Sequence, residues 1–308
     1  MKRVSTKDMS REQWLDMRKK GIGGSDISAI MGANPWKSAY ELYFDKLGIL
    51  EEKETSESMR IGTDLEQYVA ERYMEATGKK VQRTNFIYFD DEHEFMLANI
   101  DREIVGENAA VECKTTNIFS GVDYESGDMP IQYYMQCQWY MMVRGYEYID
   151  LAVLVFGKGF YWNCIERNEE MIADMRKSAV EFWNNNVLTM TPPEPDGSES
   201  SLRVLKELYP TGMESKEVYL EGLEYLLDSR QDYKESIKRM ESAVDEIDAK
   251  LIATMGDAAV GKNERWQVTY KNQERTSVDS KVLKEKYPDI YNQVSKTSSF
   301  RVLRTKKL

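Results

Sequence analysis

Apolar positions along this chain change period in a way that sets out its elements in order. Ser10, with Gln13 three residues on, predicts a capping box opening a helix that carries Trp14, Leu15 and Arg18. A glycine-rich bend, Gly21-Ile22-Gly23-Gly24-Ser25-Asp26, leads into a second helix over 27–31. Asn34-Pro35-Trp36 reads as a turn, and a helix follows over 38–47, closed by Gly48. A polar run over 51–58 reads as a flexible connection. Leu65, Val69, Tyr73 and Met74 then recur at helical spacing, predicting a helix from about Gly62 to Gly78.

Strand periodicity takes over next. A strand is predicted over 81–89, and residues 95–115 read as two short strands joined by a Gly106-Glu107-Asn108 turn, since apolar runs bounded by turn residues mark a hairpin. A loop over 117–130 precedes a helix over 131–144 bearing Tyr133, Gln136 and Trp139. Strands over 148–156 and 160–164 and a helix over 169–183 follow. The run 191–200, rich in Pro, Gly and Ser, reads as a linker. Beyond it Leu223, Leu226, Tyr233, Ile237, Met240, Val244, Ile247 and Leu251 recur at threes and fours, with Arg230 in the seam. That heptad pattern predicts a coiled-coil-like helix of about 40 residues, roughly 60 Å long. Segments at 266–270, 280–287 and 299–303 read as a small α+β unit. The expected organisation is therefore a domain over 1–190, a linker over 191–200, a long helical region over 201–256 and a basic C-terminal unit over 257–308.

The chemistry lies in the predicted hairpin. Asp101 ends its first strand; on the second, Glu112 and Lys114 share a face while Cys113 points to the other. Two carboxylates and an ammonium on adjacent strands suit a divalent cation and a lysine acting together on a phosphodiester. Alternating charge on a solvated strand face accounts for the same residues, but the apolar company of Met96, Leu97, Ile100, Ala109, Ala110 and Val111 argues for buried strands. Glu66 has two readings: a capping-box partner of Thr63, or a carboxylate reaching the Asp101/Glu112 site. Arg18 and Ser25 beside the glycine bend would suit a phosphate, whereas a plain loop with Ser25 or Asp26 as N-cap explains the bend equally.

Composition narrows the class. At 308 residues the chain has room for one large domain or two ordinary ones. Its three cysteines, Cys113, Cys137 and Cys164, are far apart among apolar residues, which reads as packed thiols in a reducing cytosol and gives no zinc or iron–sulfur spacing. No secretory or membrane segment is expected. The net charge of −11 excludes a protein that coats nucleic acid by charge alone, although residues 257–308 hold 12 Lys/Arg against 6 Asp/Glu.

Taken together and in order, Trp14-x3-Arg18-x6-Ser25, Gly62-Thr63-x-x-Glu66, Asp101, Glu112-x-Lys114 and Tyr133-x-x-Gln136-x-Gln138 resemble the YqaJ-type viral recombinases, relatives of lambda exonuclease in the PD-(D/E)xK nuclease superfamily. The resemblance spans about residues 10–165; the superfamily's name-giving proline is absent, Ile100 preceding Asp101. It implies an α/β (α+β) restriction-endonuclease-like core, a central mixed sheet flanked by helices. It implies a Mg²⁺-dependent enzyme, with Mn²⁺ as substitute and one or two ions, that digests the 5′ strand of linear double-stranded DNA. The 3′ single strand left would go to a strand-annealing partner. Carried over, Asp101, Glu112, Glu66 and the Cys113 carbonyl would bind metal, Lys114 would polarise the attacking water, and Tyr133 and Gln136 would line the site. Arg18 and Ser25 would hold the 5′ phosphate beside Trp14. A ring-like homo-oligomer working in the cytoplasm of a bacterial host, encoded by a phage or prophage, is implied as well. A structure-specific or restriction-type endonuclease on the same core, and a non-catalytic recombination scaffold, are the alternatives.

Overall fold

A computed structural model describes residues 2–51, 55–212 and 215–307, with the side chain of Ser120 left aside. It divides into units 1–208 and 209–308. The first unit runs β1 (Arg3–Ser5), α1 (Arg11–Lys19), α2 (Gly24–Ile30), α3 (Ala39–Lys46), α4 (Glu57–Thr77), β2 (Val81–Arg83), β3 (Phe86–Phe89), β4 (Leu97–Asn99), β5 (Arg102–Ile104), β6 (Ala109–Asn117), α5 (Ile131–Arg144), β7 (Tyr148–Phe156), β8 (Gly159–Glu166), α6 (Glu169–Phe182) and α7 (Glu199–Leu208). The second holds α8 (Glu224–Met255), β9 (Val260–Lys262), β10 (Gln267–Thr269), α9 (Ser280–Lys286) and α10 (Pro288–Val294).

The central sheet has the order β2-β5-β6-β7-β8, with β6 and β7 parallel and the remaining neighbours antiparallel. This is the mixed sheet expected from the sequence. Its two faces are covered differently because successive side chains of β6 alternate. Ala109 and Val111 turn toward α4, where Val69 and Tyr73 pack on Ile104 and Ala152. Ala110 turns the other way, into a core built with α5 through Trp139, Met141 and Val143. Glu112 and Lys114 continue that second face toward α5.

The predicted strand over 81–89 is two strands in two sheets. Asn85 takes a left-handed φ of 52° and the Thr84 hydroxyl donates to the Ile100 carbonyl, so the chain turns there. β3 then joins β1 and β4 in a separate three-stranded sheet. The expected strand before Asp101 is likewise split: β4 lies in the small sheet and β5 in the large one, leaving Asp101 at the crossing. The hairpin itself, β5 to β6, turns through Gly106 at a φ of 87°, which a side chain would resist.

Three boundaries differ for local reasons. The Ser56 hydroxyl caps α4 by accepting from the Met59 N–H, so the helix begins well before Gly62 and Thr63 sits inside it, donating to the Met59 carbonyl. Residues 52–54 of the expected flexible connection lie outside the described residues, but Glu57 and Ser58 are helical. At the glycine bend the N-cap is Gly23, not Ser25 or Asp26, and Asp26 accepts from the Gly23 N–H. The linker over 191–200 ends in α7, whose Ser200 and Ser201 are buried against Ser38 at the start of α3, so the first unit closes at Leu208 and not at 190.

Gln138 shows how α5 is locked in place. Fully buried, its amide donates to the Glu166 carbonyl (2.7 Å) and accepts from the Asn168 N–H (2.9 Å), tying α5 to the start of α6. Gln138→Ala strands both groups, so it is expected to cost about 2–3 kcal/mol in urea unfolding without altering the specific activity of the folded fraction.

In the second unit α8 spans 32 residues, shorter than the expected 40, and none of them is buried. Tyr233, Ile237, Met240, Val244 and Ile247 are all exposed along its seam. β10 lies in the expected segment 266–270 but pairs antiparallel with β9, a strand the sequence reading did not include, whereas residues 299–303 carry no regular structure. Cys164 is exposed, unlike the packed thiol expected. No helix among the described residues is long and apolar enough to cross a membrane.

Candidate active site

Lys114 stands at the middle of the site. Its ammonium donates to Glu112 Oε1 (2.6 Å) and to Gln136 Oε1 (3.1 Å), and lies 5.1 Å from the centre of the Tyr133 ring. Gln136 turns its amide nitrogen back to Glu112 Oε1 (2.7 Å) and to the Tyr140 hydroxyl (2.8 Å). A strand and a helix thus present one connected group, because β6 points Glu112 and Lys114 at the face that α5 covers. Burial works against the Lys114 charge, but Glu112 and Asp101 outweigh it and hold the lysine above its ordinary pKa.

Asp101 closes the edge of this group. The β5–β6 ladder ends at Arg102↔Val111, and the next N–H on that edge, of Cys113, donates to Asp101 Oδ2 (2.9 Å). A strand residue projects its N–H and C=O to the same side, so the Cys113 carbonyl looks onto the same edge. Burial raises the Asp101 carboxyl well above its ordinary pKa, and the neighbouring Glu112 and Glu66 raise it further against Lys114. Glu112 Oε2 is buried with no hydrogen-bond partner. An orphaned carboxylate oxygen beside a carboxyl driven toward its neutral form is the condition in which a hard cation with oxygen ligands fits.

Glu66 takes a different position. It sits within α4 and is paired with the Arg102 guanidinium, while Arg83 donates to the same oxygen (3.1 Å). It remains close enough to Asp101 to raise that carboxyl. Among the described residues, however, no three His, Cys, Asp or Glu side chains converge as a ready metal-binding group. The expected meeting of three carboxylates is therefore partial: Asp101 and Glu112 lie together and Glu66 is held from the other face.

The glycine bend abuts this centre. A Cβ at Gly24 would stand 2.6 Å from Tyr140 and 3.1 Å from Gln136, so only glycine lets α2 approach α5 this closely. Beside it Arg18 donates to the Ser25 hydroxyl (2.7 Å) and its guanidinium lies 4.8 Å from the centre of the Trp14 ring. Lys46, buried from α3, anchors the bend: it donates to the Arg18 carbonyl (2.9 Å) and to Asp26 (2.7 Å). Burial alone would raise the Asp26 carboxyl; Lys46 and then Arg18 reverse this and hold it below the ordinary range.

The family model described as "YqaJ-like viral recombinase domain" matches residues 13–147. The "Uncharacterized protein YqaJ" of Bacillus subtilis is 39% identical over 303 residues, covering 96% of this chain and 93% of its own. The chain belongs to the YqaJ-like viral recombinase family. Among solved structures, an alkaline exonuclease from Laribacter hongkongensis (LHK-Exo) shares its fold, with a TM-score of 0.50 and 20% identity over 64% of this chain and 99% of that one. The YqaJ-like match starts just before Trp14 and ends beyond α5, so it contains every residue of the site.

Arg102, Tyr140 and Lys46 escaped the sequence reading, and Asp26 entered it only as an alternative N-cap. Tyr140 had a signal, since it lies one helical turn after Gln136 and on its face. Arg102 had a weaker one, a charge inside an apolar strand next to Asp101. Lys46 had none, because nothing local links it to Asp26, 20 residues earlier.

Proposed function

We propose that this protein is a divalent-cation-dependent deoxyribonuclease that digests the 5′ strand of linear duplex DNA and leaves a 3′ single strand for an annealing protein. The observation that carries this reading is the buried Glu112 with its unpartnered Oε2, held by Lys114 and Gln136 beside Asp101, whose carboxyl is lifted above its ordinary pKa. Asp101, Glu112 and the Cys113 carbonyl would hold Mg²⁺, or Mn²⁺ in its place. When bound, such an ion neutralises phosphoryl charge and makes a water molecule more acidic.

The side chains divide the remaining work. Lys114 stays protonated under its two carboxylates, so it acts as a fixed cation that orients the attacking water and stabilises charge on phosphorus, and not as a base. Gln136 fixes the rotamers of Glu112 and Lys114, and the Tyr133 ring supports the ammonium from one side. Arg18 and Ser25 hold the terminal 5′ phosphate, with Arg18 aimed by the Trp14 ring and by Lys46 on its carbonyl. Work inside a bacterial host on phage or prophage DNA accords with the family. The open seam of α8 supports self-association into a ring-like assembly through that helix.

Linear duplexes with and without a 5′ phosphate, incubated with Mg²⁺ or EDTA, test the reading. The 5′ strand is expected to disappear only with Mg²⁺ and faster when phosphorylated, and Arg18→Ala should erase the phosphate preference, an effect of about 10-fold or more. Digestion from the 3′ end, or cutting of covalently closed circles, would replace this polarity with another nuclease activity.

A further inference from the structure

We propose that Lys46 sets the preference for a phosphorylated 5′ end: paired with Asp26, it cancels a carboxylate that would otherwise oppose the phosphate. It does so as a positioning residue, without itself holding the phosphate, and the inference rests on the reading of Arg18 and Ser25 given above. Asp26 is needed where it stands. A bend made of Gly21, Gly23 and Gly24 has wide backbone freedom, and Asp26 Oδ2 fixes it by accepting from the Gly23 N–H (2.9 Å). The same place is wrong for an anion. A Cβ at Gly23 would lie 3.6 Å from Asp26 Oδ2 and 3.9 Å from Arg18 Nη2, so acid and guanidinium flank one glycine. That Nη2 is the atom that donates to Ser25, the neighbour of Asp26 in sequence. A bare carboxylate there would claim the Arg18 charge and repel a terminal phosphate carrying up to two charges of its own.

Lys46 removes the conflict. It comes from α3, is as deeply buried as Asp26, and donates to the same Oδ2 (2.7 Å). One proton shared between an amine and a carboxyl in contact leaves the pair without net charge, whichever of the two carries it. Arg18 is then free to face its ligand. The other groups around Asp26 do not substitute for Lys46: Lys37 is paired with Asp45, and the Tyr140 hydroxyl, which meets the bend from α5, is pushed by burial well above its ordinary pKa. Without Lys46, burial would raise the Asp26 carboxyl while Arg18 and Lys37 lower it. Its charge, and with it the repulsion of the phosphate, would grow as pH rises.

The test is binding of linear duplexes with and without a 5′ phosphate to the full chain in EDTA, read by fluorescence anisotropy between about pH 7 and about pH 8.5, where the phosphate is mostly a dianion. The wild type is expected to keep its preference for the phosphorylated end across this range. Lys46→Met and the double variant Asp26→Asn/Lys46→Met both lose the bond to the Arg18 carbonyl, so they differ only in the carboxylate. At the alkaline end Lys46→Met should prefer the phosphate by about 5-fold less than the double variant. Should Lys46→Met not fold, Asp26→Asn decides: its amide oxygen can still accept from Gly23 and Lys46, and its preference should equal or exceed that of the wild type. Equal preferences in Lys46→Met and the double variant, or an Asp26→Asn preference below the wild type, overturns the proposal. A wild type indifferent to the phosphate would remove the role of Arg18 and Ser25, and this inference with it; a discriminating wild type beside two equal variants overturns this inference alone.

Discussion

Lys114→Ala is expected to slow strand digestion by about 10²- to 10³-fold while leaving the fold and cation binding in place. The ammonium donates to Glu112 at 2.6 Å, and among the described residues of α5 no cation near the site can replace it. Gln136 would still hold Glu112 through its amide, so the carboxylates keep their positions. Initial rates on end-labelled duplex, read beside circular dichroism and Mn²⁺ titration, separate catalysis from architecture. A rate equal to wild type would show that Lys114 only balances charge. Loss of Mn²⁺ binding would instead make it part of the ion's support.

Asp101→Asn is expected to abolish cation binding and digestion, yet to make the cation-free protein more stable at alkaline pH. Burial, with Glu112 and Glu66 nearby, lifts the Asp101 carboxyl well above the ordinary 3.8. The native state therefore keeps a proton that the unfolded chain has already released. Stability from this group is fully present below the unfolded value and declines as pH rises through the window up to the raised native one, by at most about 1.4 kcal/mol per pH unit. Asparagine keeps an oxygen for the Cys113 N–H and cannot ionise, so its melting temperature should vary less with pH. Thermal melts in EDTA, from mildly acidic to alkaline pH, check the sign. A wild type that gains stability across that range, or a variant that melts in parallel with it, would contradict the placement of Asp101 beside Glu112. Adding Mg²⁺ should restore wild-type stability at high pH and leave the variant unchanged.

Much of this site was readable along the chain, and the reason is distance. Glu112 and Lys114 share a face because strand side chains alternate, and that holds wherever the strand lies. Ser10 with Gln13 formed the expected capping box because all its atoms belong to four consecutive residues. The order of motifs from Trp14 to Gln138 was enough to place the chain near the YqaJ-type recombinases. The start of α4 was misread for a related reason: Thr63-x-x-Glu66 has the spacing of a cap, but Ser56 upstream had already nucleated the helix.

The sequence by itself determined most of the helices and strands around the site, the shared face of Glu112 and Lys114, and the resemblance to the family. Only the tertiary structure decided that Asp101 stands where the chain leaves one sheet for another, that Gln136 bridges acid and lysine, and that Glu66 belongs to Arg102. Local pattern reports each residue's relation to its near neighbours, whereas an ion pair between residues 36 apart depends on where a helix lies across a sheet. That placement is set by the packing of Val69 and Tyr73 on Ile104 and Val111, a contact between distant segments to which periodicity is blind.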